Sequence, residues 1–193
     1  MVLLINACTR PQSRTLPLAV KAANMLSDNI VRIDLYDDIP SVLNNERLIK
    51  RDKLIMTNDF GDDIFRFAKQ FKEADTIVIA APYWDLSYPA VLKCYIENIC
   101  VNGLTFFYNE KGIPQGICKA KRLVYVTTAG GYIPAQNYGF DYIRRVFSDF
   151  FGINDAVCIK AEGLDIYGAD VEGILNKAET SMYETILKGD MTK

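Results

Sequence analysis

There is no histidine anywhere in this 193-residue chain. That absence excludes Ser-His-Asp and Cys-His nucleophile systems within one chain, together with His-ligated zinc and haem iron. Cysteine is scarce and scattered: Cys8, Cys94, Cys100, Cys118 and Cys158 make an odd set with no C-x-x-C pair. Such a set reads as reduced core thiols, not as a disulfide framework or a metal centre. A basic excess is missing too, since Lys+Arg 22 stand against Asp+Glu 24, which argues against a dedicated nucleic-acid binder. No apolar run approaches the roughly 20 residues of a membrane helix, and Met1-Val2-Leu3-Leu4-Ile5-Asn6 is too short for a secretory signal core. Neither G-x-G-x-x-G nor G-x-x-x-x-G-K-[ST] occurs, so the Rossmann and P-loop fingerprints are absent. These absences together predict a cytoplasmic protein with no membrane span, no metal and no nucleic-acid partner, whose chemistry requires a borrowed cofactor.

What is present is a core-forming pattern, with 50% hydrophobic residues over a length suited to one compact domain, residues 1–193. Val2-Leu3-Leu4-Ile5, Ile77-Val78-Ile79-Ala80-Ala81 and Leu123-Val124-Tyr125-Val126 are short continuous apolar runs, as expected of strands buried on both faces. Val31, Ile33 and Leu35 alternate with polar residues, and so do Val157, Ile159 and Ala161. That alternation suits edge strands with one wetter face. Between the strands run helical stripes: Leu16, Ala19, Val20, Ala23 and Leu26; Phe60, Ile64, Phe67, Ala68 and Phe71; Leu92, Tyr95, Ile96 and Ile99. Two more follow, Ile143, Val146, Phe147 and Phe150 stopped by Gly152, and Val171 to Ile186 opened by Asp170. Ser87 is a candidate cap and Pro89 a candidate first-turn residue for the third helix. All five stripes are expected to be core.

The alternation of strand and helix demands a parallel sheet with helices on both faces. With the second and fifth strands at the edges, the order is 2-1-3-4-5, the flavodoxin-like doubly wound α/β arrangement. Its ligand crevice lies outside the carboxyl ends of strands one and three. Two connections are longer than a minimal version needs. Residues 36–59 are expected to include a short helix over Val42–Ile49, and residues 101–121 form a polar, Gly-containing excursion.

Three loops at the carboxyl ends of the strands carry the chemistry. After the first strand come Cys8, Thr9, Arg10, Ser13, Arg14 and Thr15, leading into a helix: hydroxyls, guanidinium groups and helix-start amides that suit a phosphate. The bland alternative is that Ser13 or Thr15 only caps the helix and both arginines are solvated. After the third strand come Pro82, Tyr83, Trp84, Asp85 and Leu86, an aromatic loop able to wall a planar heterocycle, or equally a hydrophobic lid. After the fourth strand come Thr127, Thr128, Ala129, Gly130, Gly131 and Tyr132, whose paired glycines permit close backbone approach or simply a turn. Phosphate chemistry at one end and aromatic chemistry at the other describe a mononucleotide with a flat ring, and FMN is the candidate.

From Ala81 to Gly131 the chain resembles the flavodoxin-like FMN-dependent quinone reductases and NADH-azoreductases. The residues that carry the resemblance are Pro82 and Pro89, then Leu92-Lys93-Cys94-Tyr95-Ile96-Glu97, then Gly103-Leu104-Thr105-Phe106-Phe107-Tyr108. In the family this stretch reads P-x-x-N-x-x-x-P, L-K-x-Y-[IF]-D and G-x-T-F-x-Y, and Ser13-Arg14-Thr15 is similar to its S-x-[ST] phosphate element.

By position, the resemblance implies that Ser13, Arg14 and Thr15 bind the FMN phosphate, with Cys8 and Arg10 beside them. Pro82 to Leu86 would follow the ring edge with backbone groups, and Thr127 to Tyr132 would contact its pyrimidine side. It further implies a homodimer with the flavin site near the interface, and Phe106 and Tyr108 on the substrate side or in the interface core. The activity implied is hydride transfer from NADH or NADPH to FMN, then two-electron reduction of a quinone, azo or nitroaromatic compound in ping-pong order. The alternative is an electron-transfer flavoprotein reduced by a protein partner without nicotinamide. Asp85 stands at or next to a frequent Asn, Ala129 where Arg or Ser is frequent, and Cys8 where Ser is common.

Overall fold

A computed structural model of the chain describes residues 1–190, with side chains through Ile186. In chain order the elements are β1 (Val2–Asn6), α1 (Thr15–Leu26), β2 (Ile30–Asp34), α2 (Asn45–Met56), a 3-10 turn (Asp63–Phe65), α3 (Arg66–Glu73), β3 (Thr76–Ala80), α4 (Ala90–Ile99), β4 (Phe106–Tyr108), β5 (Pro114–Gly116), β6 (Arg122–Thr128), α5 (Phe140–Phe151), β7 (Asp155–Ala161) and α6 (Val171–Asp190). The main sheet has five strands in the order β2-β1-β3-β6-β7, all parallel. This is the 2-1-3-4-5 order expected from the sequence, with the β4–β5 hairpin standing outside it.

The hydropathy pattern explains the order. Every residue of β1 and β6 is buried, and so is all of β3 beyond Thr76, whereas β2 and β7 are half-covered. Continuous apolar strands must be covered on both faces, so they take the centre. On one face Leu3, Ile5, Ile77, Ile79, Leu123 and Tyr125 pack against Phe67, Phe71, Leu92, Tyr95, Ile143 and Phe147 of α3, α4 and α5. On the other, Val2, Leu4, Val78, Ala80, Val124 and Val126 pack against α1 and α6 through Leu18, Ala22, Ala178 and Met182. Burying one such large side chain contributes about 1.5–3 kcal/mol. The small residues Ala19, Ala22 and Ala23 let α1 lie close to the sheet.

Several local expectations need correction. The helix placed over Val42–Ile49 instead runs over Asn45–Met56, because the Asn44 side chain accepts a hydrogen bond from the Arg47 amide and so fixes the start. Phe60 lies outside α3, whose entry is the 3-10 turn capped by Asp62 accepting from the Ile64 amide; Phe60 stacks edge-on against Phe65. Ser87 caps nothing in α4: its hydroxyl donates to the Tyr138 carbonyl at 3.0 Å. The excursion over 101–121 contains the β4–β5 hairpin. The stop at Gly152 is as expected, with φ 71 in the left-handed region and the Ile153 amide donating back to Phe147. Among the described residues no helix is long and apolar enough to cross a membrane, and no His/Cys/Asp/Glu group is arranged to hold a metal ion.

Candidate functional site

The carboxyl ends of the parallel strands share one edge of the sheet, and the order reverses between β1 and β3. That reversal opens a crevice where consecutive loops part. A cavity of about 510 Å³ lies there, lined by Cys8, Thr9, Arg10, Gln12, Ser13, Arg14 and Thr15 from the first loop, Pro82, Tyr83 and Trp84 from the second, and Thr128, Ala129, Gly130, Leu164 and Asp165 from the far side.

The first loop is held by Asn6 at the end of β1. Its side chain accepts from the Cys8 amide at 2.9 Å and donates to Asp34 at 2.6 Å. Burial pushes the Asp34 carboxyl up, but hydrogen bonds from Arg32 and Asn6 outweigh it and hold the group below its ordinary value. Pro11 follows Arg10 in a turn closed by the Ser13 amide donating to the Arg10 carbonyl at 3.0 Å. The Ser13 hydroxyl oxygen accepts from the amides of Thr15 and Leu16 at 3.2 and 3.3 Å. Ser13 therefore does cap α1, the helix-start amides are already partnered, and Pro17 has no amide hydrogen to add. What remains for an anion is the Arg10 and Arg14 guanidinium groups, the Gln12 side-chain amide, the hydroxyls of Thr9, Ser13 and Thr15, and the backbone amides of Thr9, Arg10, Gln12 and Arg14, which none of the described hydrogen bonds uses. Thr15 is 1% exposed, and its hydroxyl meets that of Thr128 at 2.7 Å, tying the first loop to the end of β6. Burial raises the Cys8 thiol above its ordinary value, so it stands in the cavity wall as a neutral thiol.

The aromatic loop continues the sheet before it turns. Tyr83 donates its amide to the Thr128 carbonyl at 2.9 Å, and Trp84 and Ser87 exchange backbone hydrogen bonds of 3.1 and 2.7 Å. Asp85 and Leu86 sit between them with φ 50 and φ 65. Two consecutive left-handed residues that are not glycine cost of order 1–3 kcal/mol each, and strain of this kind is held at ligand sites. The sequence places the backbone groups of the whole loop, Pro82 to Leu86, along a ring edge. The amides of Tyr83 and Trp84 are spent on the fold, whereas none of the described hydrogen bonds uses those of Asp85 or Leu86.

Leu164 and Asp165 were missed. The segment after β7 runs beside 129–131, with amides of Gly163, Leu164 and Asp165 donating to the carbonyls of Gly131, Ala129 and Gly130. Asp165 accepts from Arg14 Nη1 at 2.8 Å, in a pair whose side chains are 42% and 68% exposed. A Cβ at Gly130 would lie 2.4 Å from Asp165 Oδ2, so a side chain there would drive Asp165 away from Arg14. The available signal was topological: the loop after the fifth strand opens on the same sheet edge as the other loops.

Of the residues singled out from the sequence, Cys8, Arg10, Ser13, Arg14, Thr15, Pro82, Tyr83, Trp84, Thr128, Ala129 and Gly130 come together in this cavity. Asp85, Leu86, Gly131 and Tyr132 are exposed beyond its lining. Thr127 faces the other way, into a second cavity shared with Tyr83. Phe106 is 5% exposed and packs on Phe150 at 5.0 Å, while Tyr108 is half-exposed on the hairpin; neither lines the cavity.

The donor set fits FMN in chemistry: cationic and hydroxyl groups at one end, Tyr83 and Trp84 at the other, and a glycine where backbone approaches closely. The family model for the flavodoxin-like fold matches residues 1–186. An FMN-dependent NADH:quinone oxidoreductase of Clostridium acetobutylicum is 44% identical over 157 residues, covering 77% of this chain and 76% of that protein. The chain belongs to the flavodoxin-like FMN-dependent quinone reductase and azoreductase family. The corresponding oxidoreductase of Clostridium beijerinckii is 34% identical over 193 residues, covering 95% of this chain and 96% of its own. Among solved structures, an FMN-dependent NADH-azoreductase from Bacillus anthracis in complex with FMN superposes with a TM-score of 0.78 at 23% identity, covering 97% and 98% of the two chains. At that identity the likeness speaks for the fold.

Proposed function

We propose that this chain, as one flavodoxin-like domain, is an FMN-dependent NADH:quinone oxidoreductase that also accepts azo and nitroaromatic compounds. The observation that carries the reading is the split character of the 510 Å³ cavity, cationic and hydroxylated at the α1 end and aromatic at the Trp84 end. The relatives' use of FMN and NADH supports it.

Arg14, Arg10 and the hydroxyls of Ser13 and Thr15 would hold the phosphate, with Arg14 exchanging Asp165 for it. Tyr83 and Trp84 would wall the ring. The free amides of Asp85 and Leu86 would donate to its edge, fixed dipoles that favour negative charge there. When bound, FMN supplies the hydride and electron chemistry, while the protein supplies orientation and electrostatics. No histidine is needed for that division of labour. The reductant would leave before the acceptor enters, giving ping-pong order. Leu86, Tyr132 and Tyr138, at 55%, 75% and 59% exposure, are apolar surface near the cavity that a homodimer contact would cover. The cytoplasm is the compartment that suits five free cysteines.

Steady-state kinetics with NADH and a soluble quinone are expected to give parallel double-reciprocal lines. NADH alone should bleach the bound flavin anaerobically. Intersecting lines would overturn the ordering, and failure of NADH to reduce the flavin would favour a carrier reduced by a protein partner.

A further inference from the structure

A second cavity, of about 210 Å³, lies on the opposite face of the sheet from the flavin cavity and is unused by the reading above. Its floor is built from two neighbouring strands in register: Tyr125 and Thr127 of β6 pair with Cys158 and Lys160 of β7. Its roof is the loop that returns from β6 to α5, through Ile133, Pro134, Ala135 and Asn137, with Phe140 at one end. Tyr83 lines both cavities.

Two hydroxyls on this floor, those of Tyr125 and Thr127, are buried without a hydrogen-bond partner among the described residues, and so is the hydroxyl of Tyr83, which lines both cavities. Tyr125 is 1% exposed and Thr127 3%. These two are neighbours, yet no hydrogen bond of ordinary geometry joins them. Proteins rarely leave buried hydroxyls unpaired, and two side by side on one cavity floor point to something that belongs there. The charges at the mouth cancel: Lys160 pairs with Glu162 at 3.0 Å, and the other Glu162 oxygen accepts from the Ile133 amide. Asp141 acts on Cys158 from α5 and is itself faced by Arg144 at 3.9 Å, so neither sign of charge is in uncompensated excess. Burial pushes the Cys158 thiol up to about 12, which keeps it neutral. The remaining walls are Ile133, Pro134, Ala135 and Phe140, with Asn137 the one further polar side chain, its Oδ1 already accepting from the amides of Gly139 and Phe140. A cavity of about 150 Å³ holds benzene, so this one has room for a ring and a substituent of two or three atoms.

We infer that this chamber is a binding site for a small neutral one-ring aromatic compound bearing a carbonyl oxygen. The carbonyl would accept from the Tyr125 and Thr127 hydroxyls, while the ring lies against Phe140, Ile133 and Pro134. The site is separate from the flavin cavity and touches it only through Tyr83.

The test is a ¹⁹F NMR titration of the FMN-loaded protein with 4-fluorobenzamide, repeated on flavin-free protein. The expected result is saturable binding in the millimolar range or tighter, the same in both forms. Fluorobenzene, which lacks the acceptor, and 4-fluorobenzoate, which adds a charge, should bind at least about fivefold more weakly. Tyr125→Phe keeps the ring and removes one donor, and should weaken the amide roughly three- to tenfold, the worth of one hydrogen bond. Ala135→Trp, which fills the chamber from the roof, should abolish binding. Both variants should take up FMN as the parent does. Absence of binding to the parent, equal binding of fluorobenzene, or binding that survives both substitutions would overturn the assignment. Because flavin-free protein is titrated too, failure of FMN uptake would leave this result standing on its own.

Discussion

Replacing Asp165 by Asn should strengthen FMN binding, although Asp165 makes a well-formed ion pair in the cavity wall. The carboxylate occupies Arg14, at 2.8 Å, and stands in the same chamber as the incoming phosphate. Freeing Arg14 from an exposed partner costs about 0.2–1 kcal/mol. A sphere of 510 Å³ is about 10 Å across, which sets the scale of the separation between carboxylate and phosphate. At about 10 Å in water each unit of charge repels by about 0.4 kcal/mol, and a phosphate monoester carries about −1.5 to −2 at neutral pH. Removing both terms is worth about 0.8–1.8 kcal/mol, roughly a four- to twentyfold fall in the dissociation constant at low salt. At about 0.15 M salt, with a screening length near 8 Å, the repulsive part falls to about a third and the gain to roughly two- to eightfold. The assay is a titration of flavin-free protein followed by quenching of flavin fluorescence, at two salt concentrations. Arg14→Gln combined with Asp165→Asn should erase the part of the gain that comes from releasing Arg14. If Asp165→Asn weakens FMN more than twofold, the carboxylate is a ligand partner and the competition argument is wrong.

Leu86, at φ 65 and 55% exposed, gives up little packing and sheds its strain when replaced by glycine. Leu86→Gly should therefore raise stability by about 1 kcal/mol, about 2–4 °C in Tm by calorimetry, and a lower Tm would contradict the strain reading. Tyr95 is fully buried with no partner for its hydroxyl among the described residues, so Tyr95→Phe should raise Tm by a similar amount. A clear fall would show that the hydroxyl is satisfied. The Asp34 carboxyl is held below its ordinary value, so its contribution to stability is complete above about pH 4 and is lost as pH falls through the depressed folded value. Urea unfolding at pH 3, 4 and 7 should show that loss in the parent and a shallower acid limb in Asp34→Asn; identical limbs would refute it.

The strand order was legible because burial and hydropathy period are the same information: β1, β3 and β6 are continuous apolar runs, and β2 and β7 alternate. The start of α2 was misplaced because Val42 and Leu43 begin an apolar stretch, while the boundary is set by the Asn44 side chain. Thr127 and Thr128 look alike as a loop pair, yet β6 runs through both. Side chains alternate along a strand, so the two face opposite cavities, and that period could have been followed one turn further. Leu164 and Asp165 lie in a segment whose composition is that of any turn. Only its return alongside Gly130 gives it a place in the site.

The central claim is that the cavity between the β1, β3 and β6 loops holds a phosphorylated flavin. The direct measurement is a titration of flavin-free protein with FMN and, separately, with riboflavin, read by the fluorescence of Trp84, the only tryptophan in the chain. The account predicts saturation at one FMN per chain and riboflavin binding at least tenfold weaker, since charge-assisted hydrogen bonds to the phosphate are worth about 1.5–3 kcal/mol. No quenching by FMN, or equal affinity for the two flavins, would contradict it.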